Sequence, residues 1–179
     1  PFANDEGSLG QYHYWWYFTE LPSLIEGIKD DPFSRRHVLS AWDLEHMITQ
    51  EENEFLTNCH STVCQFNVDS QGRLNYKTYQ RSADVMLGLP YNFIQHWALL
   101  EYVAHQTGYK VGTMYYILGD AHIYESHWKT ADKLLTWNGP GENRSTLEYK
   151  PSNEKFSADD FRIVNKPVPV IEDRLKMEI

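Results

Sequence analysis

Little in this chain of 179 residues suits a membrane, a disulfide scaffold or a long nucleic acid. No apolar run approaches the roughly 18 residues of a membrane-spanning helix, and no charged-then-apolar leader opens the chain. It therefore reads as soluble, with an intracellular, cytoplasmic setting. Cysteine is scarce: two residues in the whole chain, too few for a framework of bridges. Basic residues are outnumbered, 16 Lys and Arg against 25 Asp and Glu, for a formal net charge of −9. That balance argues against a nucleic-acid partner, which needs a basic face. It still allows one phosphate to be held by a local group of arginines. Internal repeats are absent as well.

Aromatic residues are plentiful, 15% of the chain, including 12 Tyr and 6 Trp. They can line a pocket for a flat ligand or fill a core. The length suits one domain that buries roughly 70% of its unfolded surface. LPSLIEGIKDDP sets Leu21, Leu24, Ile25 and Ile28 at helical spacing, with Pro32 beyond the end. HVLSAW reads as a buried strand, and Asp43 to Asn58 as an acidic, solvated loop. VCQFNV and RLNYKTYQ flank the turn signal DSQG and predict an antiparallel pair. NFIQHWALLEYVAHQTG predicts a long helix with Phe93, Trp97, Leu100 and Ala104 on one stripe and Gly108 at its stop. KVGTMYYILGDAHIY predicts a strand running into a turn. Residues 138–153 read as a surface loop, and the tail from Phe156 as short strands and prolines. Helices and strands mix without regular alternation, which favours α+β over a doubly wound parallel sheet.

The cysteines lie five apart in NCHSTVCQF. An extended VCQF would have to reverse tightly for Cys59 and Cys64 to bridge. Zinc needs about four ligands, and Cys59, His60 and Cys64 have no second half, because His122 and His127 are not at zinc-type spacing. A buried, inert thiol is one remaining reading. A nucleophilic thiolate is the other, and it needs positive surroundings. Arg35 and Arg36 in DDPFSRRHV, and Arg81 in YQRSAD, could supply them if the fold gathers them. Guanidinium forks also match phosphate oxygens. GDAHIYESH adds Asp120, His122 and Tyr124 after an apolar strand.

Taken together, DDPFSRRHVLSAW, CHSTVCQF, YQRSADVMLGLPYN, GDAHIY and the closing RLKMEI resemble the thymidylate synthase family, from Gly7 to Ile179. The resemblance implies an α+β fold with a large, mostly antiparallel sheet flanked by helices, and a dimer packed sheet to sheet. It implies a single catalytic domain over residues 1–179, without the family's N-terminal segment. It implies transfer of a one-carbon unit from 5,10-methylenetetrahydrofolate, as cosubstrate, to carbon 5 of deoxyuridine monophosphate, and no metal. The alternative it leaves open is a deoxyuridylate hydroxymethylase, and a third reading is an inert nucleotide- or RNA-binding subunit.

By the same resemblance, Cys59 is the nucleophile, beside His60 in the network around the pyrimidine carbonyl. Tyr12 stands near the proton transfer at carbon 5. Arg81 and Ser82 hold the phosphate, while Arg35 and Arg36 reach the neighbouring subunit's site. Asn92 reads the uracil edge, for which an amide offers a donor and an acceptor together. A cytosine-specific relative uses Asp at that place. His122 and Tyr124 contact the ribose 3′-hydroxyl, Asp84 holds the pterin, and Gly88 lies in the adjacent folate-contacting turn. Gln65 lies six residues after Cys59, where the family spacing is five, so one residue is absorbed between them.

Overall fold

The structure, a computed structural model, describes residues 20–40, 42, 63–136, 146–151, 157–164 and 175. The described elements run in the order α1 (Leu21–Asp30), β1 (Val38–Leu39), β2 (Val63–Val68), β3 (Arg73–Asp84), α2 (Gly88–Thr107), β4 (Lys110–His122), α3 (Trp128–Leu135), β5 (Thr146–Tyr149) and β6 (Phe161–Val164). Single 3-10 turns occupy Glu125–His127 and Ala158–Asp160. They belong to two compact units, Pro1–Ala83 with Val103–Asp120, and Asp84–Tyr102 with Ala121–Ile179.

In the first unit, α1 forms as its spacing predicts. Pro22 sits in its opening turn, where a missing N–H costs nothing, and Leu21, Leu24, Ile25 and Ile28 are its buried residues. The four-stranded sheet has the order β1-β2-β3-β4. β2 and β3 pair antiparallel around DSQG, with Cys64 opposite Thr78 and Phe66 opposite Tyr76. The turn is tied by the Asp69 carboxylate, which accepts from the N–H groups of Gln71 at 2.9 Å and Arg73 at 3.0 Å. β1 adds antiparallel to β2. It is only two residues long, with Leu39 buried and Val38 exposed, and among the described residues it lies at the edge of the sheet, so the buried strand expected from HVLSAW is half-buried here.

β4 runs the same way as β3. Thr113 N–H donates to Asn75 Oδ1 at 2.8 Å near one end, and Gly119 meets the Arg81 carbonyl near the other. The sheet is therefore mixed, antiparallel across β1-β2-β3 and parallel at β3-β4. The chain reaches that parallel neighbour through the α2 crossover, which a parallel pair requires.

The pleat sends alternate residues to opposite faces. One face buries Leu39, Cys64, Phe66, Leu74, Tyr76 and Thr78. Phe66 and Tyr76 pack there with ring centroids 4.8 Å apart. Cys64 is fully buried and accepts from Tyr76 Oη at 2.9 Å, so it belongs to the core. Burial, with the nearby Cys64 sulfur next, pushes the Tyr76 phenol well above its ordinary range.

α2 begins four residues earlier than NFIQHW suggests, at Gly88, and stops where Gly108 predicts. Gly108 has φ +76°, its N–H reaches His105 O at 3.3 Å, and Tyr109 N–H reaches Ala104 O at 3.1 Å. These are the two bonds of a Schellman stop. Two of the four predicted stripe residues, Leu100 and Ala104, are buried, and the other two are not. Phe93 is exposed and Trp97 half-buried, whereas Asn92, His96, Leu99, Leu100 and Val103 are buried.

In the second unit, β5 pairs antiparallel with β6, Thr146 opposite Val164 and Tyr149 opposite Phe161. Part of the predicted loop at 138–153 is thus a strand. Tyr149 stacks on Phe161 at 4.6 Å and meets Tyr102 edge-on at 6.5 Å.

Candidate functional site

Cys59, His60 and Tyr12 lie outside the described residues. The other predicted site residues are described, and they fall into two groups, one in each unit.

In the first unit, Arg35 and Arg36 occupy the exposed segment that leads from α1 into β1. Gln65 Nε2 donates to the Arg35 carbonyl at 3.2 Å, which ties this segment to the sheet. Arg36 also borders a cavity of about 680 Å³, but Glu20, Asp30 and Asp31 border it too. Three carboxylates beside one guanidinium repel a phosphate dianion, so this cavity is not the nucleotide site.

Arg81 projects from β3 on the exposed face of the sheet, and its guanidinium lies 5.7 Å from the Trp42 ring centroid. That is within cation–π range. Ser82 follows it, half-buried. The backbone here is fixed by Gln80, itself buried. Tyr116 Oη donates to Gln80 Oε1 at 2.6 Å, and Gln80 Nε2 donates to the Ser82 carbonyl at 2.8 Å. A buried amide with both ends engaged is a stiff support for the Arg-Ser pair beside it.

In the second unit, Asp84 ends β3 and holds the turn into α2. Its Oδ1 accepts from Met86 N–H at 3.0 Å and Leu87 N–H at 3.2 Å. Among the described residues none donates to Oδ2, so one carboxylate oxygen stays available for an outside donor. Gly88 packs between Asp84 and Asn92. A Cβ added there would stand 3.6 Å from Asp84 Cβ and 4.0 Å from Asn92 Nδ2. One turn of α2 therefore gathers carboxylate, glycine and buried amide.

The end of β4 joins this turn, because Val85 N–H donates to the His122 carbonyl at 3.0 Å. The His122 and Tyr124 rings meet edge-on at 5.0 Å, and Tyr124 meets His127 edge-on at 5.8 Å. His127 is buried, with Nδ1 4.0 Å from Asp84 Oδ1. Asp84, Gly88, Asn92, His122 and Tyr124 thus converge as a polar and aromatic cluster. Sequence reasoning weighed His127 only as a zinc ligand and passed over Gln80, Tyr116 and Trp42. The one visible signal was that all four lie within or beside the quoted motifs.

A mixed sheet flanked by helices defines an α+β protein. The sequence model of the thymidylate synthase family matches residues 6–177, nearly the whole length, and the chain belongs to that family. Membership makes it an enzyme of the thymidylate synthase type, a transferase of nucleotide biosynthesis. The family supports one-carbon transfer to deoxyuridine monophosphate, with methylenetetrahydrofolate as cosubstrate. Among the described residues no helix is long and apolar enough to cross a membrane.

Proposed function

We propose that the chain methylates deoxyuridine monophosphate at carbon 5, giving thymidylate, through a covalent adduct with Cys59. The observation that carries this reading is the convergence of Asp84, Gly88, Asn92, His122 and Tyr124 around one strand-to-helix turn. These five residues supply hydrogen-bonding groups for a base, a ribose and a pterin. The open oxygen of Asp84 suits N–H donors of a pterin ring, and Gly88 adds no side chain beside it.

In this reading Arg81 and Ser82 hold the phosphate, with Arg35 and Arg36 contributed to the neighbouring subunit. Guanidinium groups focus positive potential locally on an acidic protein, which captures a dianion against a repulsive background. The same field lowers the pKa of the Cys59 thiol, so its thiolate adds to carbon 6 of the ring. His60 and Asn92 stabilise the charge that moves onto the pyrimidine carbonyl, and carbon 5 becomes nucleophilic. The cosubstrate supplies the one-carbon unit and then a hydride, and leaves oxidised to dihydrofolate. Tyr12 assists loss of the carbon 5 proton, and expulsion of the Cys59 thiolate restores the ring double bond.

In this reading the chain forms a homodimer, which the exposed apolar residues Val63, Tyr79, Tyr115 and Ile117 of the sheet support. The second reading, a hydroxymethylase, differs only at the last step, where water replaces hydride. Phe93, Gln95, His96 and Trp97 depart from the family's residues after Asn92, which favours a specialised relative of this kind. Incubating the chain with deoxyuridine monophosphate and methylenetetrahydrofolate, then weighing the nucleotide, tests both. A gain of a methyl supports the proposal, a gain of a hydroxymethyl replaces it, and no change sinks both. Cys59→Ser should keep the nucleotide and lose turnover.

A further inference from the structure

His127 has no role in the proposed chemistry, yet it is among the largest fully buried side chains of the described residues. A buried imidazole is costly unless its surroundings use it. Here the ring meets Tyr124 edge-on, at 5.8 Å and 84°, and Nδ1 lies 4.0 Å from Asp84 Oδ1, an electrostatic contact rather than a hydrogen bond. The backbone reinforces this placement, because His127 N–H donates to the Tyr124 carbonyl at 2.9 Å in the 3-10 turn Glu125–His127. Tyr124 in turn leans on His122. Asp84 is bound to the start of α2 through Met86 and Leu87. His127 thus lies against both the Tyr124 ring and the Asp84 carboxylate.

The geometry points to His127 as a positioning residue that couples two halves of the site: its ring orients Tyr124 toward the nucleotide, and its nitrogen orients Asp84 toward the folate. This rests on the reading of the site given above. The two roles reside in different parts of one side chain, so they separate under substitution. Asn places an amide where Nδ1 stood and removes the ring, and Phe keeps a ring and removes the nitrogens.

The experiment measures KM for each substrate in the full chain carrying His127→Asn or His127→Phe. His127→Asn should raise KM for deoxyuridine monophosphate roughly 2- to 10-fold, the worth of an aromatic pair, and leave the folate KM nearly unchanged. His127→Phe should do the reverse, raising the folate KM roughly 2- to 5-fold, the worth of a weak electrostatic contact. Adding His127→Phe to Asp84→Ala should raise the folate KM no further, since the partner is already gone. A purely structural histidine would move both constants together, or lower only the active fraction. That result, or two unaffected constants, overturns the inference. If His127→Phe fails to fold, the unsubstituted chain labelled with nitrogen-15 histidine decides. The His127 ring signals should shift on adding nucleotide and again on adding folate, and signals that ignore either ligand overturn the inference. A chain that binds neither substrate fails the underlying reading, and the inference falls with it. One that turns over normally while both variants behave alike fails the inference alone.

Discussion

The guanidinium of Arg81 lies over the face of Trp42, 5.7 Å from the ring centroid. Trp42 is therefore a shelf for the arginine proposed to hold the phosphate. A cation–π contact at an exposed site contributes about 0.5–1 kcal/mol. Trp42→Ala should weaken binding of deoxyuridine monophosphate about 2- to 5-fold, the same energy expressed as an equilibrium constant. Titrating deoxyuridine in parallel isolates the cause, because the nucleoside has no phosphate to lose contact with. Equal weakening of both ligands would show that Trp42 does not act through Arg81.

Gly119 lets β4 approach the backbone that carries Arg81. A Cβ at this position would stand 2.5 Å from the Arg81 carbonyl and 2.6 Å from the Tyr79 hydroxyl. A backbone carbonyl cannot swing aside, so the strands must part. Overpacking of this kind costs about 1–3 kcal/mol. Gly119→Ala should lower Tm by roughly 2 to 12 °C for a chain of this size, as read by calorimetry. Nucleotide affinity should fall with it, since the displaced atom belongs to Arg81.

The β2–β3 hairpin was legible before any coordinates, because alternation and the DSQG turn agree on one register. α1 was legible for the same reason, with a clean apolar stripe closed by proline. α2 was legible in extent but not in orientation. Phe93, Ile94, Trp97, Leu99 and Leu100 point several ways around it, so no single stripe stands out, and polar Asn92 and His96 take buried places. The strand Thr146–Tyr149 was hidden among Gly, Pro and Asn neighbours, and only pairing with Phe161–Val164 reveals it. Motif resemblance named Asp84, Gly88, Asn92, His122 and Tyr124. It passed over His127, Gln80 and Trp42, whose significance comes from what they touch across the fold.

Acid should loosen the hairpin before it unfolds the rest. The Arg73 N–H is the chief cause that holds the Asp69 carboxyl down to about 2, with the Arg73 guanidinium, Gln71 N–H and Asn75 amide adding to it. A carboxyl depressed in the folded state stabilises that state above its ordinary pKa of 3.8 and loses this contribution as pH falls toward 2. Amide exchange at Gln71 and Arg73 should therefore quicken between about pH 4 and pH 2, ahead of residues in the β2–β3 core. Asp69→Asn should flatten this response. Identical pH profiles in the two chains would contradict the assignment.

The exposed face of the sheet offers a direct test of the proposed homodimer. Tyr115 and Ile117 are 51% and 54% exposed on β4, beside Tyr79 at 42% and Val63 at 46%. Val63 and Tyr79 stand directly opposite one another in the β2–β3 ladder, so they share this face. A second copy would cover apolar area, and a charge buried there without a partner would oppose it strongly. Ile117→Glu should convert the dimer to monomer in sedimentation experiments. It should also abolish turnover, because Arg35 and Arg36 could no longer reach a neighbouring site. Retained turnover in a monomer would remove both arginines from the mechanism.

Asn92→Asp exposes the electrostatics of the folate turn as well as the choice of base. Asp84 Cβ and Asn92 Nδ2 lie 3.6 Å and 4.0 Å from where a Cβ on Gly88 would stand, so the substitution brings a second carboxyl near the first. Burial and the like charge both raise the pKa of the introduced group in the folded state. A raised carboxyl pKa destabilises the fold at neutral pH, and the penalty disappears as pH falls below the ordinary carboxyl value of about 4. The gap in Tm between the variant and the parent chain should therefore close with acid, the opposite of the response at Asp69. In the proposed reading of the site the same change removes the amide donor for uracil and leaves a group complementary to an amino edge. Turnover of deoxyuridine monophosphate should fall by as much as about 10⁴-fold, while the deoxycytidine nucleotide gains relative to it. A variant that keeps its preference for uracil would show that Asn92 does not touch the base.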